Sequence, residues 1–440
     1  MRNQISSLAV ATAIALLAGC GGGTGSSTGG GGVSTLPAGV SEAQALASYM
    51  QDYYFWYKQI PAADLSAVTT AEDALKLLKY SPTDRYSYID TATSFNAFFQ
   101  EGKSTGAGFG MREAANQVFI EYVRPASPAQ AAGLLRGDRI IKANGVDATT
   151  IASIDTAIGP REIGFALSLV VDRQGATKNI ELVKASYDII TVSDARLLNS
   201  GGRKIAYLYF YAFIDRTNAD WAAAVNNLRA QGAQDIIVDM RHNGGGYLAT
   251  AGQLGSTLKS TTASNGQFLT RLNFNDKHSA ENSNTAFGND AGSRFGKVVF
   301  LTSAGSCSAS EALINGLSAY QNVASIGSKT CGKPVGFTPR TVGSKVFSIV
   351  TFDLRNSANS GAYYDGLAPT CPVTDTFTGS YGDPSESLLA GALTYLSTGS
   401  CPVAAGGLSN SEKQVTVPSA SPPPINQLVN RGVDSQFGLY

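Results

Sequence analysis

The sequence predicts a multidomain protein of mixed α/β and α+β class, and three observations carry that expectation. First, beyond a leader and a Gly/Ser tract roughly 380 residues remain, more than one hydrophobic core comfortably holds. Second, the C-terminal half alternates short apolar runs with stretches of helical periodicity. Ile205–Phe213, Asp235–Met240, Val298–Thr302 and Val323–Ile326 read as strands, and Trp221–Gln231 and Ser308–Ala319 as helices. Third, residues 41–100 carry apolar residues at helical spacing, with Leu46, Tyr49, Met50, Tyr53, Tyr54 and Trp56 in one run.

Composition narrows the function classes. Lys plus Arg and Asp plus Glu number 33 each, so the formal net charge is zero. Nothing in that balance suggests a nucleic-acid partner. Beyond the leader no stretch offers eighteen uncharged apolar residues, so no further membrane span is expected.

Taken in order, residues 1–19 have signal-peptide layout: Arg2 supplies a basic start, Ile5–Leu17 is largely apolar, and Leu-Ala-Gly-Cys closes the segment at Cys20. Small residues ending in cysteine resemble a bacterial lipoprotein processing site. That resemblance implies cleavage before Cys20, its lipidation, and a body exported and held at the cell envelope. Residues 20–40 are mostly Gly, Ser and Thr and read as a flexible tether. Residues 41–103 read as a helical N-terminal domain whose aromatic run is core. At the other end, residues 403–440 are rich in Ser, Pro and Gly and read as a low-complexity tail.

Residues 104–186 hold Gly106-Ala-Gly-Phe-Gly-Met111, then Ser127-Pro-Ala-Gln-Ala-Ala-Gly-Leu-Leu-Arg-Gly-Asp138 and Asn144-Gly145. Together these resemble a PDZ domain. The resemblance implies a carboxylate-binding loop at Gly108, Phe109 and Gly110, where successive backbone N–H groups meet a peptide's C-terminus and a sheet edge takes the peptide as an added strand.

Residues 187–402 carry the chemistry. Ser303-Ala-Gly-Ser-Cys-Ser-Ala-Ser-Glu311 lies between a strand and a helix, and Thr330-Cys-Gly-Lys-Pro-Val-Gly-Phe337 follows the next strand. Loops at the carboxyl ends of strands are where α/β sheets bind ligands. A serine hydroxyl needs a base and oxyanion donors to act as a nucleophile. A helix start supplies free N–H groups and partial positive charge. A lysine serves as base only when burial lowers its pKa, and Pro334, Val335 and Phe337 make Lys333 a candidate for burial. The chain has two histidines, His242 and His278, so a Ser-His-Asp triad has few candidates. The blander reading of Ser308 and Glu311 is a capping box.

Ser-Cys-Ser-Ala-Ser-Glu followed by Gly-Lys resembles the active-site signature of the carboxyl-terminal processing, or tail-specific, serine peptidases, and the likeness runs from about residue 43 to residue 397. It implies a crotonase-like strand-helix catalytic core, Ser308 as nucleophile and Lys333 as base, with neither metal nor cofactor. Arg241-His-Asn-Gly-Gly-Gly246 after a buried strand resembles the family's glycine motif, with Met240 where leucine is usual. That implies an oxyanion hole from Ala309 with Gly245 or Gly246. The implied substrates are unstructured or C-terminal segments of polypeptides. Two positions depart from the pattern: Phe337 stands where many members have a glutamine, and Ala319 where many have an aspartate. The group orienting Lys333 is therefore unassigned, and a catalytically weak or inactive peptide-binding lipoprotein on the same scaffold is the alternative. Four cysteines follow Cys20, namely Cys307, Cys331, Cys371 and Cys401. An even number in an exported chain favours disulfides, in three possible pairings. The roles implied for the neighbours of Cys307 and Cys331 make those two the preferred pair, leaving Cys371–Cys401. Residues 260–295 are polar and are expected to be irregular, a flap or an exposed insertion.

Overall fold

The computed structural model describes Leu36 and residues 38–402. The leader with Cys20, most of the tether and the tail from residue 403 lie outside the described residues. Among the described residues no helix is long and apolar enough to cross a membrane.

The N-terminal region opens with helix α1 (Glu42–Tyr53). Ser41 and Gln44 form a reciprocal capping box at its start. Helix α2 (Ala71–Leu78) follows, capped by Thr70, and packs against α1 through Leu46, Met50, Ala74 and Leu75. Strand β1 (Tyr88–Thr91) runs into helix α3 (Ala92–Phe99), whose Phe95, Phe98 and Phe99 are buried.

Strand β2 (Lys103–Gly106) enters a small β domain built from β3 (Phe109–Ala114), β4 (Gln117–Val123), α4 (Pro128–Ala131), β5 (Arg139–Ala143), β6 (Val146–Asp147), α5 (Ile151–Ile158), β7 (Ala166–Arg173) and β8 (Ala176–Val183), and β9 (Ala185–Asp188) leads out. β2 and β9 pair as the stem. The main sheet runs β3-β4-β5-β7-β8, with β6 off β5. Its strands alternate, so Val118, Ile120, Leu167, Leu169 and Val171 face one core with Ile154 and Ile158 of α5. β3 ends that sheet, next to α5.

The largest body is a six-stranded sheet with helices on both faces. It begins with β10 (Val192–Ser200), β11 (Arg203–Phe210), α6 (Thr217–Ala230), β12 (Asp235–Asp239) and α7 (Leu248–Leu258). A hairpin, β13 (Phe268–Phe274) and β14 (Ser283–Ala286), comes next, then β15 (Val298–Thr302), α8 (Ala309–Ser318) and β16 (Val323–Gly327). Short strands β17 (Val335–Gly336), β18 (Arg340–Val342), β19 (Lys345–Ser348), β20 (Phe352–Arg355) and β21 (Cys371–Pro372) precede the last helix, α9 (Ser387–Thr398). The sheet order is β10-β11-β12-β15-β16-β21. All its pairings are parallel except β10 on β11. These central strands are apolar on both faces, as parallel strands covered twice must be. Leu208, Val238 and Phe300 face α6, α7 and α8; Tyr207, Ile237 and Leu301 face α9.

Two features depart from the sequence expectations. Residues 260–295 are not irregular throughout: within them β13 and β14 pair with each other, and β13 pairs with β20. The polar stretches on either side conceal Phe268-Leu-Thr-Arg-Leu-Asn-Phe274, whose second partner lies some eighty residues away. Nor is the region after α2 purely helical, since β1 pairs antiparallel with β19 of the large body. Both disulfides form in the preferred arrangement, Cys307–Cys331 and Cys371–Cys401.

Candidate active site

Three consecutive parallel strands, β12, β15 and β16, deliver their carboxyl-end loops to one place. The loops are 240–246, 303–308 and 328–334. Hydrogen bonds join the first two directly. Asn243 O accepts from Cys307 N at 3.0 Å and from Ser310 Oγ at 2.9 Å. Met240 O accepts from Ser306 Oγ at 2.7 Å, and Ser303 Oγ donates to Arg241 O.

Ser308 stands at the entrance of α8 with φ of 56° and ψ of −113°. Positive φ is uncommon for a residue with a side chain and persists only where surrounding contacts enforce it. Here the enforcement is local: the Cys307–Cys331 bridge closes on one side, with Cα atoms 5.2 Å apart. Glu311 Oε2 accepts from Ser308 N at 3.0 Å on the other. α8 is buried on nearly every face. Small residues permit this; a Cβ on Gly316 would lie 2.5 Å from Leu269 O.

Glu311 does more than cap its helix. Its carboxylate also accepts from Gly332 N and Lys333 N, each at 2.8 Å, and from the Thr330 hydroxyl. One oxygen, Oε2, therefore holds the backbone N–H of both Ser308 and Lys333. The Ser-x-x-Glu pattern signalled a cap, but no local signal announced its second set of donors, some twenty residues on. Glu311 lies with Cys307 and Cys331 in one cluster, but both sulfurs are spent in the disulfide and leave no thiolate for a metal.

The Lys333 side chain is 1 % exposed and its Nζ has no hydrogen-bond partner, so it is not bonded to Ser308 Oγ. The amine lies 4.5 Å from the centre of the Phe337 ring and 6.0 Å from that of Tyr86. Burial pushes its pKa down to about 7, against the opposing pull of the Asp84 and Glu311 carboxylates. Phe337, where a glutamine is usual, shields the amine from water and offers it no hydrogen bond. Ala319 is the C-cap of α8.

Gly245 and Gly246 both have positive φ, 104° and 134°. A Cβ on Gly245 would sit 2.8 Å from Ser308 Cβ and 2.9 Å from Ala309 N, so this loop lies against the start of α8. A Cβ on Gly246 would meet Phe213 O at 2.1 Å. Gly245 N donates to Asn243 Oδ1 at 2.9 Å, whereas Gly246 N and Ala309 N meet no protein acceptor among the described residues.

His242 is buried among aromatic rings, 4.7 Å from Tyr122 of β4 and 6.2 Å from Tyr381 between centres. Its Nε2 has no partner. Burial, then Arg241, Arg124, Arg136 and Arg112, push its pKa well below the usual imidazole value. It thus sits where the β domain docks on the 240–246 loop. Arg136 pairs there with Asp375 and Glu386, and Arg241 with Asp239, Asp375 and Glu386.

In the β domain, Gly108 has φ of 82° and no room for a side chain, a Cβ falling 2.1 Å from Ser127 Cβ. Its carbonyl accepts from Arg124 N at 2.8 Å. Phe109 is fully buried and Gly110 packs beneath the Tyr122 ring. Gly108 leads directly into β3, the end strand of its sheet, whose first two residues are Phe109 and Gly110.

Comparison with known proteins agrees with this architecture. Residues 41–88 match the Peptidase S41 N-terminal domain, residues 106–183 a PDZ domain, and residues 204–373 Peptidase family S41. The carboxyl-terminal-processing protease of Synechocystis sp. is 27 % identical over 237 residues, 53 % of either chain. A Staphylococcus haemolyticus protein named "Probable CtpA-like serine protease" is 27 % identical over 288 residues, 65 % of this chain and 55 % of its own. The chain thus spans about half the length of the curated relatives it matches. A crystal structure of a Bacteroides fragilis NCTC 9343 protein assigned to the S41 proteases shares the fold, with a TM-score of 0.65 and 24 % identity, over 81 % of this chain and 97 % of that one. With its N-terminal, PDZ and catalytic regions each matched in the family's order, the chain belongs to peptidase family S41.

Proposed function

We propose that this chain is an extracytoplasmic serine endopeptidase, lipid-anchored through Cys20, that cleaves unstructured or C-terminal segments of polypeptides with Ser308 as nucleophile and Lys333 as general base. The observation that carries this reading is a fully buried, unpartnered lysine whose backbone shares one carboxylate oxygen with the strained Ser308. In the reaction, neutral Lys333 takes the Ser308 Oγ proton as Oγ attacks the scissile carbonyl. The proton passes from Lys333 to the departing amine, and water then cleaves the acyl-enzyme by the same exchange. The two side chains come within hydrogen-bond reach when substrate is bound, since such contacts are often long in free enzymes. Ala309 N–H and a glycine N–H of the 245–246 loop receive the oxyanion. Gly246 has the free donor; Gly245 is held by Asn243 and lies nearest Ser308. The lipid anchor rests on the lipoprotein-like sequence ending at Cys20, and export rests on that leader together with the two disulfides.

The test is incubation of the purified protein with unstructured peptides, with product formation expected. Peptide binding without product after long incubation would instead mark a peptide receptor on a peptidase scaffold. Gly245→Ala should lower turnover at least about tenfold, because its methyl intrudes on Ser308 and on a proposed oxyanion donor; wild-type kcat in the variant would remove this loop from the site.

Recognition of a free C-terminus is assigned to Gly108, Phe109 and Gly110, with the peptide added beside β3. Amidating the C-terminus of a peptide should weaken its binding about tenfold or more, as measured by titration calorimetry, because the loop's N–H groups then meet no negative charge. Equal affinity for acid and amide would reduce the PDZ domain to a structural module.

A further inference from the structure

We propose that Arg85 and Tyr86 of the N-terminal domain are positioning residues for Lys333, aiming the base through its backbone where the family's usual side-chain helpers are replaced by Phe337 and Ala319. This deepens the Ser308/Lys333 reading and rests on it.

The peptide unit joining Gly332 to Lys333 is gripped from both ends. Its N–H donates to Glu311. Its carbonyl accepts from the Tyr86 hydroxyl and, at 3.4 Å, from Arg85 Nη2. The same Arg85 nitrogen donates to Cys331 O at 2.9 Å and Tyr364 O at 2.8 Å. Gly332 has φ of 85°, and a Cβ on it would lie 2.2 Å from Tyr364 O. The turn bearing Lys333 is thus closed over by backbone and has one conformation to occupy.

Arg85 and Tyr86 are themselves well anchored. Buried Asp84 accepts from Tyr86 N, Ser87 N and the Tyr54 hydroxyl. Ser87 Oγ accepts from Val350 N at 3.0 Å, and β1, directly after, pairs with β19. Every hydrogen bond that aims Lys333 therefore acts on its main chain, because Nζ has no hydrogen-bond partner and meets only the Phe337 and Tyr86 rings. An amine held this way swings out of line if its peptide unit tilts, and a displacement of about 1 Å can cost on the order of 100-fold in rate. A tilt would also admit water to the amine and raise its pKa toward the ordinary lysine range.

The test uses Tyr86→Phe, Arg85→Ala and Arg85→Lys in the full chain, with Lys333→Ala as control. The readouts are kcat and KM across pH on one peptide, and the pH dependence of Ser308 labelling by a fluorophosphonate, which needs no turnover. Tyr86→Phe and Arg85→Ala should lower kcat about 10- to 100-fold with KM little changed. The acid limb of both profiles should move to higher pH, and Arg85→Lys should recover part of the loss. A purely structural role would lower the melting temperature and leave the limb in place. Tyr86→Phe loses one oxygen and keeps the ring, so it carries the test if Arg85→Ala fails to fold. Wild-type kcat and limb in folded Tyr86→Phe and Arg85→Ala, with Lys333→Ala inactive, would overturn this inference and leave the dyad standing. An active Lys333→Ala would overturn both.

Discussion

Ser308→Ala should abolish peptide cleavage, lowering kcat by about 10^4-fold or more, the scale on which loss of a nucleophile acts. The residual rate would be whatever the oxyanion donors and substrate binding sustain without a covalent step. KM for peptide should change little, because binding is assigned to the PDZ loop and strand edge, which the substitution does not touch. The fold should survive as well. Ser308 contributes its backbone N–H to Glu311, and alanine keeps that N–H. Alanine at φ of 56° is strained much as serine is, so circular dichroism and melting should resemble the wild type. Cleavage at the wild-type rate by a folded Ser308→Ala protein would remove Ser308 from the mechanism.

Activity should rise with pH through about 7 and then level, as the Lys333 amine loses its proton. Burial holds its folded-state pKa near that value. Below it the lysine is an ammonium with no proton-accepting role; above it the neutral amine accepts the Ser308 proton. Lys333→Arg should be nearly inactive at every accessible pH, because guanidinium stays charged. The same burial has a stability cost of opposite sign to the catalytic gain. The folded pKa lies below the unfolded one, so the unfolded chain holds a proton that the folded protein has lost between about pH 7 and 10.5. The penalty is therefore full below about pH 7 and is relieved as pH rises toward 10.5. Lys333→Met, which fills similar space without charge, should be inactive yet more stable at pH 6, by at most on the order of 5 kcal/mol. Chemical denaturation at pH 6 and pH 9.5 checks this: the variant's advantage should shrink at the higher pH. A less stable Lys333→Met protein would mean that the amine makes favourable contacts in the folded state. Retained cleavage in the lysine variants, with loss in His242→Ala, would move the base to His242.

Local pattern determined a good deal of this protein by itself. Val298–Thr302 is a strand and Ser308–Ala319 very nearly the following helix because a Val-Val-Phe-Leu-Thr run, rich in β-branched and apolar residues, then small and apolar residues at helical spacing, favour those states before any tertiary contact forms. The turn between them, with serines at a helix entrance, was legible for the same reason. So was the nearness of Cys307 and Cys331, once roles were attached to their neighbours. The tertiary structure alone decided three things. β13 becomes an inner strand because β20, about eighty residues on, takes the hydrogen bonds of the edge that the neighbouring β14 leaves open. Glu311 joins the Ser308 and Lys333 turns because parallel strands β15 and β16 bring their carboxyl ends side by side, which no capping pattern encodes. And Arg85 and Tyr86 reach Cys331 and Gly332 across some 246 positions because β1 pairs with β19. A partner that distant leaves no periodicity in either segment: hydrogen bonds to main-chain carbonyls ask nothing of the side chains that own them, so the contact exists only where the folded backbone brings the two segments together.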